Sequence, residues 1–156
     1  MTDLRSVYQI YVKATPERVW EAITSPDMTK DYYFDSLVES DWRPGSDYAY
    51  KNADRTFDLI VGKVLEADPP RRLVQTFSGR WEEGMLADPP TRVTWEIEQM
   101  GEACKLTLVH DQFESETMTY EQVNGGWSVI LSSLKTLVET GKPMVVGEPA
   151  AEVAAS

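Results

Sequence analysis

Between Gly125 and Gly141 the sequence reads GGWSVILSSLKTLVETG, and its apolar residues recur at helical spacing. Trp127, Ile130, Leu131, Leu134, Leu137 and Val138 follow the i, i+3, i+4, i+7 rule. Ser128, Ser132, Ser133, Lys135, Thr136 and Glu139 lie mostly on the other side. Gly141 and Pro143 stop the helix in the expected order. Burying the apolar stripe at ~1.5–3 kcal/mol per side chain is worth on the order of 10 kcal/mol. That is comparable with the whole net stability of a domain. The rest of the chain must therefore supply an apolar face that covers this helix.

The period-2 segments upstream supply it. In TRVTWEIE, Val93, Trp95 and Ile97 oppose Arg92, Thr94, Glu96 and Glu98. In CKLTLVHD, Cys104, Leu106, Leu108 and His110 oppose Lys105, Thr107, Val109 and Asp111. Such alternation gives one buried and one wet face, as antiparallel sheets permit. Further strands are predicted in RSVYQIYVK, SLVESDW, DYAYK, the stretch from about Thr56 to Glu66, and RLVQTF. Tyr8, Ile10 and Val12 share one face of the first of these. The Thr56–Glu66 stretch is apolar on both parities, so its faces stay unassigned. Two ADPP segments, each preceding a strand, are turn chemistry used twice. The regular alternation of strand and turn predicts an antiparallel meander.

ATPERVWEAITSP, Ala14 to Pro26, interrupts the strands. Thr15 is placed to N-cap a helix of about three turns, with Pro16 at its first position and Glu17 in its first turn. Arg18 stands where a capping box needs Glu or Gln. Val19, Ala22 and Ile23 form a narrow apolar stripe, expected to lie across an open end of the sheet. Ser25-Pro26-Asp27 restarts a second short helix towards Tyr32. The fold class is therefore α+β: a strand, two short helices, about six more strands and a long terminal helix.

Four segments in this order carry a resemblance to a known family. They are ATPERVWEAITSP, GKVLEADPPRRLVQTF, TRVTWEIE with KLTLVHDQF, and GGWSVILSSLKTLVETG. The chain resembles the activator of heat-shock-protein-90 ATPase homologue family, within the START-like, birch-pollen-allergen-like SRPBCC superfamily. The resemblance implies a helix-grip fold, in which a curved antiparallel sheet of about six or seven strands wraps the long C-terminal helix. The helix-grip domain is expected over residues 1–141, and 142–156, KPMVVGEPAAEVAAS, has no periodic pattern and is expected to be a flexible tail. The resemblance also implies a chaperone as one candidate partner.

Charge and composition narrow the function classes. The chain has 156 residues, enough for one domain with a real core, and a net charge of −11. An acidic surface repels phosphate backbones and anionic headgroups, so neither nucleic acid nor membrane is an expected partner. No apolar run approaches the ~18 residues of a spanning helix. MTDLRSVYQ lacks the apolar stretch of a secretory leader, and the lone Cys104 suits a reducing compartment, so a cytoplasmic location is expected. One His and one Cys make no ordinary zinc site, and no phosphate-cradling glycine motif occurs. Neither a metal nor a cofactor is expected.

A helix gripped by a curved sheet leaves space between them, which must hold ligand, water or side chains. The candidate cavity residues are Tyr8, Tyr48, Tyr50, Phe77, Trp81, Trp95, His110, Phe113, Trp127 and Leu131. Left open as a pocket, such walls suit a hydrophobic or aromatic small molecule. Filled by their own rings, they are simply a core. His110 points inward by parity, as a hydrogen-bonded core residue or as a group that sets ligand polarity or moves a proton. Asp111 faces the opposite side, which argues against a His110–Asp111 couple. The first functional reading is a non-enzymatic carrier or sensor of an apolar ligand. The alternatives are a chaperone-associated stress protein and a cyclase- or hydrolase-type enzyme using the same cavity. No catalytic residue is assigned.

Overall fold

The computed structural model describes residues 4–145. Strand β1 (Ser6–Val12) leads into helices α1 (Pro16–Thr24) and α2 (Pro26–Tyr32). Strands β2 (Leu37–Ser40), β3 (Asp47–Lys51), β4 (Asp58–Asp68), β5 (Arg72–Gly79), β6 (Thr91–Met100) and β7 (Ala103–Asp111) follow. A short helix α3 (Met118–Val123) then precedes the long helix α4 (Gly126–Thr140). Among the described residues the strands form one antiparallel sheet in the order β1-β7-β6-β5-β4-β3-β2. It is an open sheet: β1 and β2 are its edges. The order arises because β2 to β7 run as a meander while β1 returns to pair with the last strand, Ser6 opposite His110 and Val12 opposite Cys104.

Pairing register puts the predicted faces together. Val93 lies opposite His110, Trp95 opposite Leu108 and Ile97 opposite Leu106, all within 5% of full burial. On α4, Trp127, Ile130, Leu131, Leu134 and Leu137 are buried against this face, with Leu134 at 0% exposure. Val138 is only half-buried, and Ser133 takes a buried place instead, so the stripe is rotated slightly from the one read in the sequence. Gly141, in the left-handed conformation at φ 78°, ends the helix by donating its N–H to Leu137 O at 2.8 Å. The same end is tied to β1: Lys135 Nζ donates to Tyr11 O, and Lys13 N–H donates to Glu139 Oε2, both at 2.7 Å.

Thr15 caps α1 as its sequence position demands, accepting from Arg18 N–H at 3.2 Å. Ser25 closes α1 and opens α2, so the two helices meet at an angle. Val19, Ala22 and Ile23 are fully buried, and α1 packs against β2, β6 and α4. Tyr32 Oη donates to Ala22 O at 2.7 Å and locks the pair. Past Gly141 the described chain has neither helix nor strand through Val145. Most of the expected tail, residues 146–156, lies outside the described residues.

Candidate functional site

The helix and the sheet do not close completely. A cavity of about 400 Å³ remains between α3, the first turn of α4, strands β3 to β5 and the turn after α2. Tyr33, Tyr50, Ile60, Phe77, Trp127 and Ile130 form its buried floor. Phe34 and Trp81, respectively 62% and 36% exposed, stand at its mouth beside Gln122.

Local chain geometry builds these walls. Thr29 Oγ1, buried in α2, donates to Ser36 O at 3.0 Å and accepts from Val38 N–H at 3.1 Å, pinning the turn between α2 and β2. In that turn Phe34 and Asp35 take positive φ of 50° and 58°, a conformation rare for a bulky side chain. The reversal keeps Tyr33 inside and turns Phe34 out. The opposite wall is set by Asp88, whose Oδ2 accepts from both Thr119 N–H (2.8 Å) and Thr119 Oγ1 (2.7 Å). This clamps the β5–β6 loop to α3. Trp81 Nε1–H then donates to Gln122 Oε1 at 3.1 Å across the mouth. The floor is a mesh of rings: Tyr33 stacks on Tyr50 with centroids 4.3 Å apart, and Trp127 meets Tyr33 edge-on at 6.0 Å. Phe77 lies 6.4 Å from Trp127.

Of the residues proposed from sequence, Tyr50, Phe77, Trp81 and Trp127 line this cavity. The remainder sit elsewhere. Tyr8 is half-buried on edge strand β1, beyond the cavity. Tyr48 lies over Gly62 and donates its hydroxyl to Thr76 O. Trp95 forms a second layer behind Trp127, at 5.8 Å, and donates its indole N–H to Gln75 Oε1 at 3.2 Å. Phe113 is wedged between His110 and Tyr120, and Leu131 is in the closed core.

His110 is also behind the wall, with no exposed surface. Trp127 Nε1–H donates to its Nδ1 at 3.0 Å. An indole can only donate, so Nδ1 is unprotonated and Nε2 carries the hydrogen. Nε2–H donates to Thr91 Oγ1 at 2.7 Å, and Thr91 passes its own hydrogen to Phe77 O at 3.3 Å. Both imidazole nitrogens are thus committed to the core. Burial pushes the imidazole down to about 3, against a smaller opposing pull from the Asp111 charge. Asp111 itself faces outward and binds Arg92 through two bonds of 2.9 and 2.7 Å. Cys104 donates to Ala14 O at 3.1 Å, and burial pushes its thiol up. Among the described residues no group of His, Cys, Asp and Glu is arranged for a metal ion. Nor is any helix long and apolar enough to cross a membrane.

Tyr33, Phe34, Ser36, Leu59, Ile60, Gln122, Val123, Gly126 and Ile130 line the cavity without having been proposed for it. Thr117, which N-caps α3 by accepting from Tyr120 N–H at 3.2 Å, is the sequence signal for the helix that carries Gln122 and Val123. Ile130 belonged to the recognised α4 stripe. Tyr33 lies one residue beyond the predicted second helix, where no periodicity marks it.

Comparison with known proteins fits the architecture. CalU16 from Micromonospora echinospora is 22% identical with a TM-score of 0.69, over 88% of this chain and 77% of its own. The Aha1 dimer protein from Colwellia psychrerythraea is 22% identical with a TM-score of 0.71, over 89% and 98%. PFC0360w, an HSP90 activator from Plasmodium falciparum, is 22% identical with a TM-score of 0.68, over 89% and 97%. At these identities the likeness establishes the helix-grip fold. No curated protein matches the sequence. The sequence pattern of the family described as "Activator of Hsp90 ATPase homolog 1-like protein" matches residues 13–139, and the chain belongs to that family.

Proposed function

We propose that this protein binds a hydrophobic or aromatic small molecule in the cavity between sheet and α4, as a non-enzymatic carrier or sensor. The observation that carries this reading is a mainly aromatic cavity of about 400 Å³ with no charged side chain among the described residues that line it. A dry void of that size would cost about 10 kcal/mol, a large part of a domain's stability. Water held there needs two to four polar partners per molecule, and the lining offers few. Poorly held water is readily displaced by an apolar guest. An enzymatic role has less support, because the one histidine has both nitrogens bonded within the core. The unpaired, buried Cys104 suits a reducing compartment such as the cytoplasm.

Thermal unfolding with N-phenyl-1-naphthylamine, an uncharged aromatic probe, tests the reading. At a hundredfold excess over its Kd the probe adds about 2.7 kcal/mol, or roughly 5–10 °C. An unchanged midpoint together with unchanged tryptophan emission contradicts it.

A chaperone partner is the second reading, favoured by the family description and by the HSP90-activator relative. Retention of this protein on an immobilised HSP90-type chaperone, together with stimulated ATP hydrolysis, supports it; the absence of both removes it.

A further inference from the structure

Two tyrosines of the cavity floor keep phenol hydroxyls that no described residue engages. Tyr32 and Tyr48 spend theirs on Ala22 O and Thr76 O. Tyr33 and Tyr50, 5% and 2% exposed, have no hydrogen-bond partner for theirs among the described residues. Every fully enclosed side-chain polar atom among those residues does have a partner. Neither hydroxyl is therefore fully enclosed, and both residues line the cavity. Stacking at 4.3 Å and 28° makes the rings one rigid plate, with Trp127 braced edge-on against it. Burial first, and the neighbouring phenols second, hold both well above the ordinary tyrosine value, so each remains a neutral O–H. Among the described residues that line the cavity there is no Asp, Glu, Lys, Arg or His.

We infer that the cavity selects a neutral ligand: an apolar body with one oxygen function, a carbonyl or hydroxyl, seated on the Tyr33 and Tyr50 hydroxyls. This inference rests on the cavity-binding reading above and names the ligand class for it. A guest without the oxygen strands two polar groups under an apolar surface, which costs affinity. A carboxylate, phosphate or ammonium brings a charge into a site with no counterion, which costs more. The phenols both donate and accept, so either a ketone or an alcohol satisfies them.

A matched series tests the class: naphthalene, 2-acetylnaphthalene, 2-naphthoate and 2-(aminomethyl)naphthalene, with Kd read from tryptophan quenching. The ketone should bind roughly tenfold more tightly than naphthalene, the value of about one neutral hydrogen bond. Both charged probes should bind at least ~100-fold more weakly than the ketone. The ammonium probe separates this from repulsion by the acidic surface, which would attract it. Tyr33→Phe with Tyr50→Phe keeps the rings and should abolish the ketone's advantage over naphthalene, with naphthalene binding at least as tightly as to the native protein because no hydroxyl is left to strand. Equal binding of ketone and naphthalene to the native protein overturns the inference while sparing the cavity reading. So does a charged probe that matches the ketone, or a ketone advantage that survives in the double variant. Failure of every probe to bind overturns both. The comparison on the native protein decides the matter even if the double variant does not fold.

Discussion

Acidifying from pH 7 to pH 5 should charge His110 in the unfolded chain but not in the fold. Its ordinary value is 6.5, and burial pushes it down to about 3. Between those values the unfolded chain holds a proton that the folded chain refuses. The stability due to neutral His110 is therefore complete above about 6.5 and is lost as pH falls towards 3. Each pH unit inside that window costs about 1.4 kcal/mol, so the step from pH 7 to pH 5 costs about 2 kcal/mol. The molecular reason is the committed pair of nitrogens. A proton on Nδ1 would expel the Trp127 N–H bond and place an unpaired charge among Phe77, Phe113 and Trp127. Urea denaturation followed by tryptophan emission measures this, with His110→Gln as the reference. Glutamine retains a carbonyl for Trp127 and an amide for Thr91 but does not titrate in this range. Carboxylates common to both proteins cancel in the comparison. The native protein should lose about 2 kcal/mol more than the variant over this interval. Parallel losses, or an imidazole that NMR shows titrating near its ordinary value in the fold, would mean that the core does not hold His110 neutral.

Other perturbations reach different parts of the structure. A Cβ on Gly62 would stand 2.3 Å from Thr76 O and 2.6 Å from the Tyr48 ring, so Gly62→Ala should lower stability by about 2 kcal/mol or more in the same urea assay. Leu134→Ala, at the fully buried centre of α4, should cost about 2–5 kcal/mol by loss of contacts and creation of a void. Phe34→Ala should change stability by less than about 0.5 kcal/mol, because the ring is 62% exposed. It should nevertheless speed dissociation of a neutral naphthyl probe in stopped flow, because the ring stands at the mouth of the proposed site.

The sequence shows most plainly the elements whose two sides differ. Trp127 to Val138 could only be a buried-faced helix, and Val93 to Ile97 with Cys104 to His110 could only be half-buried strands. Thr15 marks α1 because its hydroxyl caps it, whereas α2 is marked by Pro26 at its first position, Ser25 making no side-chain cap bond. β4 was opaque because its face is not constant: its register with β5 shifts between Val64 and Glu66, and both Leu59 and Ile60 reach the cavity. α3 is too short to show a period. Parity gave the direction of Trp95 and His110 but not their depth, and Trp127 stands between them and the open space. Tyr33 was hidden because the positive-φ turn that directs it inward is made by Phe34 and Asp35, not by glycine.

The most direct test of the cavity as a binding site uses the indole N–H signals of the five tryptophans. Trp81 and Trp127 line the cavity, whereas Trp20 and Trp42 do not. Titration with 2-acetylnaphthalene should move the Trp81 and Trp127 signals saturably and leave those of Trp20 and Trp42 in place. Unmoved Trp81 and Trp127 signals, or equal movement of Trp20 and Trp42, would mean that the cavity is not where the ligand binds.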